Sequence, residues 1–363
     1  MKSYAALYPF CAELLSVVRN FDKLQDTYTL TKLYAQNCIS MTGKDVAYIC
    51  NQSEIGKSIE NGIVYDDPSW EVLLLTHVED KALMKSVDFV STIECALLAG
   101  KSVVFYCKDN KDIISKLSEL KQTFSSRLTV VNNVAFERVS GSNIPYVPLE
   151  VPVVLVGGLI READTTEVLL SLTARMRVDG LRVLTLSNLP MSITLGLTYL
   201  NRFEQFSAKN TDRITMMKKL IREYEHLYRP DIILIEAPDA VMAYSDNIPN
   251  GYGVDTYLLC QAIRPDYFVC CVPFNLAYGK LLSVLSQNFI VRLGTPINVS
   301  HTSNVFVDTT ESLHHELTHI YLNNEMVQER LRKEKHLTPV PMFDAIGNGV
   351  EGIYKSLCAV MKK

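Results

Sequence analysis

Short apolar runs of four to six residues recur along this chain, most of them followed by a longer stretch with helical spacing. The runs at 72–76 (VLLLT), 102–107 (SVVFYC), 153–156 (VVLV), 232–235 (IILI) and 267–272 (YFVCCV) are apolar almost throughout, with no alternation of polar and apolar positions. A strand with one wet face alternates; a strand without alternation must be covered on both faces. That is the pattern of a parallel sheet between two layers of helices. Further strands are expected at 4–8, 46–50, 128–132, 181–186, 304–307 and 339–343. Helices are expected at 11–19, 81–98, 109–123, 165–179, 211–228, 325–335 and 350–361. The fold class that follows is α/β with two parallel-sheet domains. The first, 1–140, is Rossmann-like, and the second, 153–363, has the form of a degenerate P-loop domain. Between them the tract SGSNIPYVPLEVP carries three prolines and no helical period, and 141–152 reads as a linker.

An Arg-Pro-Asp element occurs twice, at Arg229-Pro230-Asp231 and Arg264-Pro265-Asp266, each between a helical stretch and an apolar run. The residue before proline is disfavoured in the helical region, so the helix stops there. Proline at a strand entrance removes no ladder bond.

Composition narrows the function classes. Of 363 residues, 48% are hydrophobic and 21% charged, which excludes general disorder. The net charge of −4 offers no basic stripe for phosphates, so no nucleic-acid partner is expected. No apolar run is long enough for a membrane span, and no signal-peptide pattern opens the chain. Nine cysteines without a CxxC pair read as reduced, mostly buried thiols. A soluble, cytoplasmic protein is the expectation.

Three patterns bear on chemistry. The first follows the 153–156 run: Gly157-Gly158-Leu159-Ile160-Arg161-Glu162-Ala163-Asp164-Thr165-Thr166, then a helix. With Gly158 as the first glycine of a P-loop, Ala163 stands at the second glycine, Asp164 at the lysine and Thr165 at the hydroxyl. Context and spacing fit, whereas the charge is reversed, because Glu162 and Asp164 stand where a cation normally meets phosphate. Asp164 reads as the side-chain N-cap of the helix. The second pattern is Ile232–Ile235 ending in Glu236, then Ala237-Pro238-Asp239, an arrangement like a Walker B strand. It puts Glu236 and Asp239, the candidate catalytic residues, at the carboxyl end of a sheet, or leaves them as strand-end carboxylates. The loop after it, with Asn250, Gly251, Tyr252 and Gly253, is long enough to wall a pocket and joins Gly157, Gly158, Asp164, Thr165 and Thr166 as candidate ligand-binding positions.

The third pattern is His315-Glu316-Leu317-Thr318-His319, a literal H-E-x-x-H. On a helix, the two histidines would share a face and bind zinc, with Glu316 as base and Glu325 as a third ligand. Leu322 stands where one protease class needs a turn glycine, and Ile320-Tyr321-Leu322 is strand-like, so a metal site is not the favoured reading. No G-x-G-x-x-G follows the first strand, where Tyr8-Pro9-Phe10 stands instead, so a dinucleotide cofactor is unsupported.

The chain resembles the peptide-maturation-system proteins of clostridial natural-product clusters. These sit beside a Cys-rich precursor peptide, a radical-SAM maturase and an acyl-carrier-related protein. The resemblance rests on Leu7-Tyr8-Pro9-Phe10, on Met41-Thr42-Gly43-Lys44-Asp45, on Arg229 to Tyr267 with its Arg-Pro-Asp elements and Tyr252-Gly253, and on Ser303-Asn304-Val305 and Tyr321-Leu322-Asn323. More distantly, the second domain is similar to P-loop proteins of the dethiobiotin-synthetase type. The resemblance implies a role in maturing a ribosomally made bacterial peptide, with a precursor peptide or maturation enzyme as partner, and implies no particular reaction. Three functions stay open: an accessory protein without a cofactor; an ATP-dependent ligase or acyl-transfer enzyme using the altered loop at 157–166; and a zinc peptidase through His315, Glu316 and His319. Whether the chain forms a homo-oligomer is open as well.

Overall fold

A computed structural model describes residues 2–78, 80–107, 111–131, 148–200, 209–248, 250–314 and 317–361. The chain is α/β and divides into two compact units. One is Met1–Val134 with Leu189–Tyr199; the other is Ala135–Asn188 with Leu200–Lys363. The expected linker at 141–152 lies mostly outside the described residues.

The first unit is built on β1 (Ser3–Tyr8), β2 (Tyr28–Ala35), β3 (Ile59–Asn61), β4 (Val72–Thr76), β5 (Ser102–Tyr106) and β6 (Leu128–Val131). The sheet is parallel, in the order β3-β2-β1-β4-β5-β6. This is the strand order of a Rossmann sheet, in which the two halves run outward from a switch point between β1 and β4. Its helices are α1 (Leu15–Leu24), α2 (Lys81–Ser86), α3 (Phe89–Leu98) and α4 (Lys111–Thr123). Leu73, Leu74 and Leu75 are fully buried, as a strand covered on both faces requires. Trp70 is buried too; its indole N–H donates to the Tyr34 hydroxyl at 3.2 Å, and the Lys101 ammonium lies 4.5 Å from its ring centre.

Two expectations fail here. Residues Val46–Cys50 form a 3₁₀ helix, not a strand, because Asp45 captures the local amides of Ala47, Ile55, Gly56 and Lys57 with its carboxylate. The single helix expected over 81–98 is two, since Asp88 starts a second helix by accepting from the Ser91 amide.

The second unit contains β7 (Val153–Gly158), α5 (Thr165–Val178), β8 (Val183–Ser187), α6 (Asn210–Tyr228), β10 (Ile232–Glu236), α7 (Val254–Ile263), β11 (Tyr267–Val272), α8 (Gly279–Leu293) and β12 (Val299–Thr302). It ends with α9 (Asn324–Glu334), β15 (Met342–Phe343) and α10 (Val350–Met361). β9 (Thr198–Tyr199) lies in the segment that belongs to the first unit, and the six strands of the second are ordered β15-β12-β11-β7-β10-β8. A separate antiparallel pair joins β13 (Val305–Asp308) to β14 (Thr318–Tyr321).

One face of the sheet, with Val154 and Val156, packs against Leu169, Leu172 and Met176 of α5 and Ile353 and Leu357 of α10. The other, with Leu155, Ile233 and Ile235, packs against Met217 and Ile221 of α6, Leu259 of α7 and Phe289 of α8. The connection leaving β7 therefore goes to one face, and those leaving its neighbours β10 and β11 go to the other. In open α/β sheets ligands bind in the crevice at such a point, which here is the carboxyl end of β7.

Both Arg-Pro-Asp elements perform the same job. Arg229 and Arg264 end their helices in the left-handed region, with φ of 45° and 48°. Each aspartate then clamps the next strand over: Asp231 accepts from the Arg182 amide at 2.8 Å, and Asp266 accepts from the Val153 amide at 2.8 Å.

Candidate functional site

The loop that follows β7 is held by backbone contacts before any side chain matters. A Cβ on Gly158 would lie 2.1 Å from the Ile160 carbonyl oxygen, so only glycine allows the turn. The Leu159 amide donates to the Cys271 carbonyl at 2.9 Å, and the Gly158 carbonyl accepts from the Val241 amide at 2.9 Å. The loop is thereby stitched to β11 on one side and to the segment after β10 on the other. The Leu159 amide is spent on this and is not presented to a ligand.

Asp164 does not cap α5 with its side chain, contrary to the sequence expectation. Its backbone is left-handed at φ 60°, which turns the carboxylate away from the first helical turn. Oδ2 lies 3.3 Å from Nε2 of His301, a fully buried residue of β12. The other ring nitrogen, Nδ1, accepts from the Ala345 backbone N–H at 3.0 Å. An amide can only donate, so Nδ1 is unprotonated and the imidazole proton sits on Nε2, pointing at Asp164. A carboxylate thus occupies the lysine position of the P-loop pattern and is fixed there by a histidine two strands away.

Glu236 is buried at the end of β10. Oε1 accepts from the Thr166 hydroxyl at 2.5 Å and the Thr165 hydroxyl at 3.5 Å, and Oε2 accepts from the Ser187 hydroxyl at 2.8 Å and the Asn188 amide at 2.9 Å. The arrangement brings together the Walker-A-like and Walker-B-like elements predicted from sequence. Their carboxylate and hydroxyls satisfy one another, which is what allows a charged group to be buried.

Asp239 stands apart from Glu236. Its Oδ1 accepts from the Thr256 amide at 2.9 Å and from the Thr256 hydroxyl. Burial raises its pKa, opposed by those Thr256 bonds and by the charge of Arg161. The loop that leads to α7 passes through four consecutive left-handed residues, Asn250, Gly251, Tyr252 and Gly253, with φ of 41°, 85°, 61° and 68°. A Cβ on Gly253 would lie 2.4 Å from the Val241 carbonyl oxygen. Arg292 holds the turn from outside by donating to the Tyr252 carbonyl at 2.7 Å, and the Tyr252 ring stays exposed.

Of the H-E-x-x-H residues, His315 and Glu316 lie outside the described residues. His319 is in β14, opposite Val307, so the helical spacing that would align it with His315 is absent at this position. Its Nε2 lies 3.2 Å from the Tyr321 hydroxyl. Burial pushes its pKa down, and the Glu162 and Asp164 carboxylates work against that shift, which places its field at the β7 loop. Glu325 is exposed in the first turn of α9. Among the described residues no group of three or more His, Cys, Asp or Glu side chains is arranged to hold a metal ion.

Sequence reasoning missed His301, Ser187, Asn188 and Thr256. His301 sits in Val299-Ser300-His301-Thr302, a buried strand whose polar residues disguise it. Its only sequence signal is a histidine close to strand-forming residues, three positions before Asn304.

No model of a protein family matches the chain, and neither does any curated protein. Among solved structures, it is similar to a DUF1611 family protein from Anabaena variabilis. The TM-score is 0.62 and the identity 13%, and the match covers 100% of both chains. At that identity the likeness shows a shared two-unit fold.

Proposed function

We propose that the chain is an accessory protein of peptide maturation that binds a precursor peptide or a maturation enzyme above β7, on a P-loop-like scaffold that does not turn over nucleotide. One observation carries this: the Asp164 carboxylate, fixed by His301, where a phosphate-binding loop needs a cation. A phosphate charge about 4 Å from a carboxylate is repelled by roughly 4 kcal/mol at an effective dielectric near 20. The attraction of a helix N-terminus for an anion, about 0.3–1 kcal/mol, does not offset that. Glu162 adds a second negative charge on the same loop. A peptide is favoured over a nucleotide there, because its ammonium groups are attracted by the same carboxylates. The resemblance to maturation-system proteins supplies the biological context of the proposal.

Native mass spectrometry of the whole chain tests it, with Mg·ATP and separately with a Cys-rich precursor peptide. The expected result is a peptide complex and no nucleotide adduct. A stoichiometric Mg·ATP complex that weakens in Gly158→Val would sink the proposal in favour of the ligase or acyl-transfer reading.

A further inference from the structure

A cavity of about 470 Å³ lies in the first unit, beside the carboxyl end of β4. It is remote in sequence from the β7 loop and the residues that contact it. Apolar side chains form part of its lining: Val78 directly after β4, Met84 from α2, Val87 and Phe89 at the start of α3, and Ile113 from α4. His77 closes the floor, with its ring edge-on to Phe89 at 4.6 Å and to Phe105 at 5.3 Å between centroids. Two charged residues also line the cavity, Asp88 and Lys116. They carry opposite signs, yet no ion pair joins them, and neither forms an ion pair with another described residue. Asp88 uses one carboxylate oxygen to cap α3 through the Ser91 amide at 3.1 Å. Lys116 is exposed on α4, one helical turn from Ile113.

A concave lining that mixes apolar side chains with a few charged and polar groups is the form of a small-molecule site. The two opposite charges narrow its chemistry. A simple anion would meet Asp88, a simple cation would meet Lys116, and a neutral apolar molecule would leave both unused. We infer that this cavity binds a free α-amino acid with a large apolar side chain, whose ammonium faces Asp88, whose carboxylate faces Lys116 and whose side chain fills the space between α2, α3 and α4. The binding is independent of the crevice above β7.

The test is ligand-observed NMR on the full chain with L-phenylalanine, 3-phenylpropionate, 2-phenylethylamine and glycine. L-Phenylalanine is expected to bind in the millimolar range or tighter. The compounds lacking one charge are expected to bind about three- to fivefold more weakly, the size of one exposed charge contact. Glycine should not bind. Lys116→Met should erase the preference for L-phenylalanine over 2-phenylethylamine, and Asp88→Asn, which keeps a capping oxygen, should erase the preference over 3-phenylpropionate. Val87→Trp should abolish binding by filling the cavity. Both charge variants are at exposed positions, so they report even if Val87→Trp fails to fold. Equal binding of all three phenyl compounds, unchanged preferences in the charge variants, or no saturation by about 10 mM L-phenylalanine overturns the inference.

Discussion

At the residue scale, the Asp164–His301 pair combines a backbone constraint with a side-chain one. The left-handed conformation costs a residue with a Cβ roughly 1–2 kcal/mol, and the hydrogen bond to His301 compensates. Asp164→Ala loses the bond and keeps the strain, and it also leaves a buried imidazole N–H unpaired. It should destabilise the second unit by about 2–4 kcal/mol. Asp164→Gly loses the same bond but relieves the strain, so it should be milder by about 1 kcal/mol. Urea unfolding of the two variants side by side checks that ordering. Asp239 sets a pH dependence. Its folded pKa lies above 3.8, so the folded state holds a proton that the unfolded state releases. Its contribution to stability is therefore full in acid and is lost as pH rises from about 4 through the folded value. Asp239→Asn keeps the Oδ1 acceptor for Thr256 without the buried charge. It should be more stable than the parent at pH 7, with the advantage vanishing near pH 4. Melting temperatures measured across that range would show no crossover if Asp239 were charged without cost.

At the element scale, the repeated Arg-Pro-Asp device shows local and tertiary structure in agreement. Proline keeps the preceding residue out of the helix, and here that residue adopts a left-handed C-cap, a conformation that suits glycine. Arg229 and Arg264 are both exposed. Arg229→Gly and Arg264→Gly should each raise stability by a few tenths to about 1 kcal/mol, and the double variant should show the sum, because the two caps share no partner. Chemical denaturation of the three variants checks both the sign and the additivity. The β13–β14 hairpin shows the opposite case. Asn304–Val307 reads as a strand with no stated partner, and Val305–Asp308 pairs antiparallel with 318–321, so the H-E-x-x-H segment ends in a strand. Local β propensity could not tell which partner would pair with it.

At the scale of the whole molecule, the first unit is not a continuous stretch of chain. Residues Leu189–Tyr199 belong to it, with a 3₁₀ segment over Pro190–Leu195 whose Met191 and Leu195 are fully buried. A fragment ending at residue 134 should therefore be less stable than the same unit in the full chain. Limited proteolysis would reveal it: cleavage of the fragment at the rate of the intact protein would refute the dependence. No helix among the described residues is long and apolar enough to cross a membrane. The amino-acid pattern alone is enough to assign the class of fold. Continuous apolar runs such as Val72–Thr76 and Ile232–Glu236 can be stable only inside a sheet covered on both faces, and the glycines, prolines and caps between them mark where the helices turn. The Gly158 loop and Glu236 were legible as P-loop-like for the same reason: the chemistry of a strand–loop–helix turn is local. The tertiary structure alone decided what those residues touch. That Asp164 meets His301 across 137 positions, that Thr166 and Ser187 hydrogen-bond Glu236, and that His319 lies within the field of Glu162 all depend on strand order. Strand order is set by how helices pack on the two faces, a long-range property that no local window of sequence carries.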